Sequence, residues 1–160
     1  MRVLKGKVYV FGDNVDTDQI YPGRYLELTD HGEIGRHAME GADPDFLKRF
    51  EKGGIIVAGF NFGCGSSREH AVITLKNAGV SAIFAKSFAR IFYRNCVNLG
   101  VPVIMEPKLD SFGIEEGNSI EVDLASGTLT VGGTVRKFIP LSKDILEMIE
   151  NGGVFGLYKK

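Results

Sequence analysis

An α/β fold with a parallel strand-helix core and a small antiparallel β extension is what the sequence predicts, on three observations. Short apolar runs at 54–59, 80–85 and 103–105 alternate with two segments whose apolar residues recur at helical spacing. After Pro107 the pattern changes to period-two alternation punctuated by Ala125-Ser126-Gly127 and Gly132-Gly133. The chain has 160 residues with neither an internal repeat nor a linker-like stretch, so residues 1–160 read as a single domain large enough to bury a core.

In chain order, residues 7–12 mix β-branched and aromatic side chains and predict a strand feeding an acidic loop at 13–18. Short helices are expected over 34–39 and 44–52, parted by the turn Gly41-Ala42-Asp43-Pro44. Residues 54–59 are apolar on both faces, as a strand covered on both sides requires, and they break into the glycine-rich loop 60–65. Ser66-Ser67-Arg68-Glu69 fits the S-x-x-E capping box, so a helix is expected from an N-cap at Ser66, with Ala71, Val72, Leu75 and Ala78 inward and Gly79 as its stop. A strand over 80–85 precedes a helix capped by Ser87, carrying Phe88, Ile91, Phe92, Cys96 and Leu99 and ending at Gly100. With the strand at 103–105, this run predicts parallel pairing through right-handed crossovers. Residues 119–124, 128–131 and 134–139 then read as an antiparallel meander, and Ser142 caps a closing helix that Gly152-Gly153 end.

Composition excludes several classes of function. The 19 Lys plus Arg against 20 Asp plus Glu leave a net charge of -1, too little for a charge-driven binder of nucleic acid or anionic membrane. Cys64 and Cys96 are too few for a disulfide framework, a thiolate zinc site or an iron-sulfur cluster, and they suit a reducing compartment. His31, His37 and His70 show no metal-ligand spacing with them, so no metal site is expected on this chain. No apolar stretch approaches the roughly 20 residues of a membrane-spanning helix and no signal h-region opens the chain, so a soluble, unprocessed, cytoplasmic protein is expected. Glycine is the outlier at 21 residues, about twice the usual ~7%, which points to turns and close backbone approach.

The leading site candidate is the loop 59–65 delivering Ser66, Ser67 and Arg68 to a helix start directly after a buried strand. Free backbone N–H groups and the helix dipole favour an anion there, and Arg68 adds a fork suited to carboxylate. Neither phosphate-loop nor dinucleotide-loop spacing is satisfied, and a plain turn-and-cap with a solvated Arg68 stands as the alternative. The run 13–18 places Asn14, Asp16 and Asp18 alternately, but Gln19 and Tyr25 stand where a calcium loop needs glycine and glutamate. That leaves a carboxylate-rich loop able to orient an arginine or a hydroxyl, or a merely solvated one. Cys64 has no histidine placed as its base. Arg90, Tyr93 and Arg94 form a basic and aromatic face that reads as a partner surface for RNA or an acidic partner, with a merely solvated face as the alternative.

Four ordered motifs, Gly12-Asp13-Asn14-Val15-Asp16-Thr17-Asp18-Gln19-Ile20, Pro22-Gly23-Arg24-Tyr25-Leu26, Gly63-Cys64-Gly65-Ser66-Ser67-Arg68-Glu69-His70-Ala71 and Ala85-Lys86-Ser87-Phe88-Ala89-Arg90-Ile91-Phe92, make the chain similar to the small subunits of 3-isopropylmalate dehydratase. These correspond to the swivelling C-terminal domain of the aconitase superfamily. The resemblance implies a swivelling β/β/α domain that binds no cofactor itself and docks on a large subunit carrying a [4Fe-4S] cluster. It implies Ser66 as the base that exchanges a carbon-bound proton, Ser67 and Arg68 as carboxylate holders, and Asp18 as the active-site aspartate with Thr17 beside it. The reaction implied is isomerisation of 2-isopropylmalate to 3-isopropylmalate through isopropylmaleate, in leucine biosynthesis, by a hydro-lyase active only when both subunits are present.

The same resemblance places Leu26, Glu27, Leu28 and Thr29 against the variable part of a dicarboxylate or tricarboxylate substrate. Leu26 and Leu28 suit an isopropyl group, and no arginine stands there to meet the distal carboxylate of homoaconitate. Isopropylmalate is therefore expected, with homoaconitase or dual-specificity activity as the alternative. A non-catalytic carboxylate- or RNA-binding module is the reading from another class. The interface surface that the partner would cover predicts self-association of the isolated chain, and Cys64 and Cys96 could pair between chains on oxidation.

Overall fold

The computed structural model describes residues 3–66 and 68–154. Its strands are β1 (Val3–Val10), β2 (Ile55–Ala58), β3 (Ala82–Ala85), β4 (Val103–Met105), β5 (Ser119–Asp123), β6 (Thr128–Val131) and β7 (Thr134–Lys137). Its helices are α1 (Thr17–Ile20), α2 (His31–Ile34), α3 (Phe46–Arg49), α4 (Glu69–Ala78), α5 (Arg90–Asn98) and α6 (Lys143–Glu150), with 3-10 turns at Gly23–Tyr25, Gly35–His37 and Leu109–Phe112. Among the described residues the strands form one sheet in the order β4-β3-β2-β1-β5-β6-β7. The chain is thus a mixed α/β fold, as the alternation of patterns predicts.

Two features differ from the expectation. The parallel part includes β1, which pairs with β2 from Val8↔Ile55 to Val10↔Val57, and the meander is no separate extension. It continues the same sheet, because the first half of β1 pairs antiparallel with β5 from Val3↔Asp123 to Lys7↔Ser119. β1 therefore begins before residue 7 and stops before Phe11. Gly6 permits the crossing, since a Cβ there would run into the carbonyl of Gly53.

All residues of β2 and β3 are buried, and alternate ones feed the two faces of the sheet. Tyr9, Ile56 and Ile83 meet Val72 and Leu75 of α4 and Phe92 and Cys96 of α5 on one face. Val8, Ile55, Phe84 and Ile104 meet Ile120, Leu129 and Leu146 on the other. Each such side chain contributes roughly 1.5–3 kcal/mol by leaving water. Buried Thr74 of α4 donates to the Ile34 carbonyl at 2.6 Å and so pins α2 to the same face.

Helix starts depart most from the local signals. α4 begins at Glu69 with Arg68 at the N-cap, without a side-chain cap, so Ser66 and Glu69 do not form the expected box. α5 begins after Ala89, and Ser87 caps nothing; its Oγ accepts from Asn61 N at 2.7 Å and its carbonyl from Phe62 N at 3.1 Å. The stretch 13–18 is no plain loop: Asp16 accepts from Gln19 N at 2.8 Å, and Gln19 Oε1 accepts from Asp16 N at 3.0 Å, a capping box that opens α1. The helix expected over 34–39 is instead α2 plus the turn Gly35–His37, and α3 occupies the middle of 44–52. α6 starts as expected, with Ser142 Oγ accepting from Ile145 N at 3.3 Å. No described helix is long and apolar enough to cross a membrane.

Candidate active site

The loops leaving the carboxyl ends of β1, β2 and β3 lie side by side, where open α/β sheets place ligands. A ladder of backbone bonds locks them together. Gly59 N donates to Gly12 O at 3.0 Å, Gly63 N to Val15 O at 2.8 Å, Thr17 N to Cys64 O at 2.8 Å and Ala89 N to Phe62 O at 3.0 Å. Asp13 Oδ1 accepts from Phe60 N at 2.8 Å, so the acidic run before α1 is stitched to the glycine-rich loop rather than solvated. Gly63, at φ +84, lies against the ring of Phe92, whose face any Cβ would enter.

This frame explains why Ser66 is displaced from the helix. Gly65 has a φ of +94, outside helical space, and buried Thr17 donates its Oγ1 to the Ser66 carbonyl at 2.7 Å. Ser66 is therefore held, exposed, at the mouth of the loop two residues before the N-cap. Arg68 reaches back to α1, where its Nη1 donates to Asp18 Oδ1 at 3.3 Å. The same oxygen accepts from Gly23 N at 2.8 Å. The Gly23 N–H first and the Arg68 guanidinium second hold the Asp18 carboxyl below its ordinary pKa, so it is a fixed negative charge at neutral pH.

A cleft of about 410 Å³ opens between this frame and α5, lined by Thr17, Gly63, Gly65, Arg68, Arg90 and Asn95 among others. It joins two guanidinium-bearing residues, a threonine, an asparagine and the first turn of α5, which has no acidic residue. Such a lining suits an anion with more than one carboxylate. Of the predicted residues, the structure brings Thr17, Asp18, Ser66 and Arg68 together; Ser67 lies outside the described residues. Leu26, Glu27 and Thr29 are exposed and Leu28 half-buried, in the loop that starts at Gly23 beside Asp18.

Sequence reasoning missed Arg90 and Asn95, and it placed Arg90 on a partner face with Tyr93. The structure separates the two: Arg90 lines the cleft, whereas Tyr93 packs against Phe88 at 5.7 Å between ring centroids and burial pushes its phenol pKa up. Helical periodicity gives which residues share a side of α5, not which loop that side faces. His70 stacks on Tyr21 at 5.5 Å while its Nε2 donates to Leu28 O at 3.3 Å. Among the described residues no three His, Cys, Asp or Glu side chains gather as a metal ion would need. Cys96 is buried in the core, which drives its thiol pKa well up, and Cys64 lies in the loop; both are free thiols.

The model of the aconitase C-terminal domain family matches residues 44–107, which include the loop, Ser66, Arg68, Arg90 and Asn95. A protein of Methanopyrus kandleri named 3-isopropylmalate dehydratase small subunit 1 is 48% identical over 99% of this chain and 94% of its own length. A protein of Methanothermobacter thermautotrophicus named methanogen homoaconitase small subunit is 51% identical over 99% of this chain and 92% of its own. The crystal structure of a 3-isopropylmalate dehydratase from Methanocaldococcus jannaschii superposes with a TM-score of 0.90 at 42% identity, covering 98% of this chain and 93% of that one.

Proposed function

The chain belongs to the small-subunit family of 3-isopropylmalate dehydratases within the aconitase superfamily, and from that premise we propose that it forms the dicarboxylate-binding half of this lyase. Residues 1–160 then act as one swivelling domain that docks on a large subunit. The observation that carries the reading is the cleft walled by Arg68 and Arg90 beside Ser66, at the loops where the sheet's parallel strands end.

Each residue then has a task that follows from its chemistry. Arg68 and Arg90 hold the carboxylates of 2-isopropylmalate, Ser67 assists, and the ionised Asp18 fixes the angle of Arg68 through its hydrogen bond. Ser66 Oγ takes the carbon-bound proton in dehydration and returns one in rehydration at the neighbouring carbon. A serine hydroxyl is a weak base, so its alkoxide needs the positive field of the two guanidinium groups and of the nearby α4 and α5 N-termini. Thr17 keeps Ser66 in place by gripping its carbonyl. Departure of the hydroxyl needs a Lewis acid, which this reading assigns to a [4Fe-4S] cluster on the large subunit, since the two cysteines of this chain are too few to hold one.

Isopropylmalate is the preferred substrate because 26–29 offers two leucines and no cation to a distal carboxylate. The similarity to a homoaconitase small subunit keeps homoaconitate as the second reading. Co-expression with a cluster-bearing large subunit, anaerobic purification and parallel assays of isopropylmaleate and homoaconitate hydration test both. Hydration of isopropylmaleate that requires both chains is the expected result. Preference for homoaconitate keeps the mechanism and overturns the substrate, and inactivity with several competent large subunits overturns the enzyme.

A further inference from the structure

The loop carrying Leu26–Thr29 is held at its base and bare at its tip. Asp18 takes Gly23 N at 2.8 Å, Tyr21 OH donates to Tyr25 O at 2.6 Å, and His70 reaches Leu28 O. Three further side-chain bonds converge on a residue outside the loop, Glu40. Its Oε1 accepts from Tyr25 OH at 2.7 Å and Arg24 Nη2 at 3.0 Å, while its Oε2 accepts from His37 Nδ1 at 2.6 Å. The rings of Tyr25 and His37 stack 3.7 Å apart, and the Arg24 guanidinium lies 4.8 Å over the Tyr25 ring.

Glu40 is itself rigidly seated. Met39 before it has a φ of +57, a conformation that a methionine keeps only where its surroundings over-determine it. Met39 N donates to Ile20 O at 2.8 Å and Ala42 N to Gln19 O at 3.1 Å, so the segment is fastened to α1, the element that carries Asp18. The Glu40 side chain is 22% exposed, too little for water to supply its bonds if the partners were lost.

We propose that Glu40 is a positioning residue for substrate choice, its carboxylate gripping Arg24, Tyr25 and His37 so that Leu26–Thr29 is presented in one conformation to the variable part of the substrate. The inference rests on the reading of 26–29 as the segment that meets that substituent. It needs a carboxylate in particular. Both oxygens face donors, so the amide of Glu40→Gln satisfies one side and turns its own N–H groups on the donors of the other.

The test compares wild type, Glu40→Gln and Tyr25→Phe in the assembled, cluster-loaded enzyme, on isopropylmaleate and on maleate, which lacks the substituent. Glu40→Gln is expected to lower kcat/KM for isopropylmaleate by about tenfold or more, mainly through KM, and to leave maleate within about threefold. Tyr25→Phe, which removes a single bond, lies between. Hydrogen exchange of amides 22–29 in the same complexes rises in Glu40→Gln. Equal loss on both substrates assigns Glu40 a merely structural role and overturns the proposal, as does unchanged exchange at 22–29. A wild-type complex inactive on isopropylmaleate overturns the substrate reading instead, and the exchange result then decides the clamp by itself.

Discussion

Ser66 stands two residues before the N-cap of α4 instead of at it, exposed at the mouth of the loop between Gly65 and Arg68, which line the cleft. Ser66→Ala in the assembled enzyme is expected to cost turnover by several orders of magnitude while the two chains still associate. A loss of only a few-fold removes Ser66 from the mechanism. Arg90→Lys replaces a planar fork with a point charge; a rise in KM of about tenfold with folding intact is expected, equivalent to about 1.4 kcal/mol of binding. Steady-state kinetics with Arg68→Lys as comparison check it, and an unchanged KM places Arg90 outside the substrate site. The position of Ser66 and Arg68 at a strand-to-helix turn was legible from the residue pattern, whereas Asp18 came into view only through the motifs of the resemblance. The place of Arg90 in the cleft was not legible, because it depends on α5 facing the 59–65 loop, a tertiary fact that spacing along one helix does not contain.

Among the elements, the strands buried on both faces were the most legible, since β2 and β3 are apolar at every position. The helix starts were misread where a tertiary bond outcompeted the local cap: Thr17 takes the carbonyl of Ser66, and the 60–65 loop takes both oxygens of Ser87. α1 was missed because four residues carry no periodicity, although its Asp16-x-x-Gln19 box was present in plain sight. The 59–65 loop depends on its packing on α5, so Gly63→Ala, strained in backbone and driven into Phe92, is expected to destabilise by roughly 1–3 kcal/mol. Urea unfolding measures it, and a change below about 0.5 kcal/mol contradicts the packing. The clamp on the 22–29 loop should depend on pH. Burial opposes ionisation of Glu40, yet Tyr25, His37 and Arg24 together hold its folded pKa below the ordinary value. A lowered carboxylate pKa contributes stability above the unfolded pKa and loses it as pH falls through the folded one. Asp18 acts in the same direction through Gly23 and Arg68. Exchange protection at 22–29, corrected for intrinsic rates, is thus expected to hold at neutral pH and to fall below about pH 4. Protection that persists well below that range contradicts the charged clamp.

For the molecule as a whole, the parallel half and the meander were each legible from their periods, but their junction was not. It lies in the pairing of Val3 with Asp123, and no local pattern joins positions so distant in sequence. Because β1 belongs to both halves, neither can lose its place without exposing the other's core. Amides of β3 and β6 are therefore expected to lose exchange protection in one denaturant transition. Two separated midpoints would divide the chain into independent units. The shared strand also orders events at the ribosome. Val3–Lys7 leaves the exit tunnel before its partner Ser119–Asp123 is made, so one edge of β1 stays open while everything between the two is synthesised. An unpaired edge at polysome density is an invitation to the neighbouring nascent chain. Lys5 and Lys7, two residues apart on that half of the strand, put like charge on any two such edges that meet, and like charge opposes their pairing.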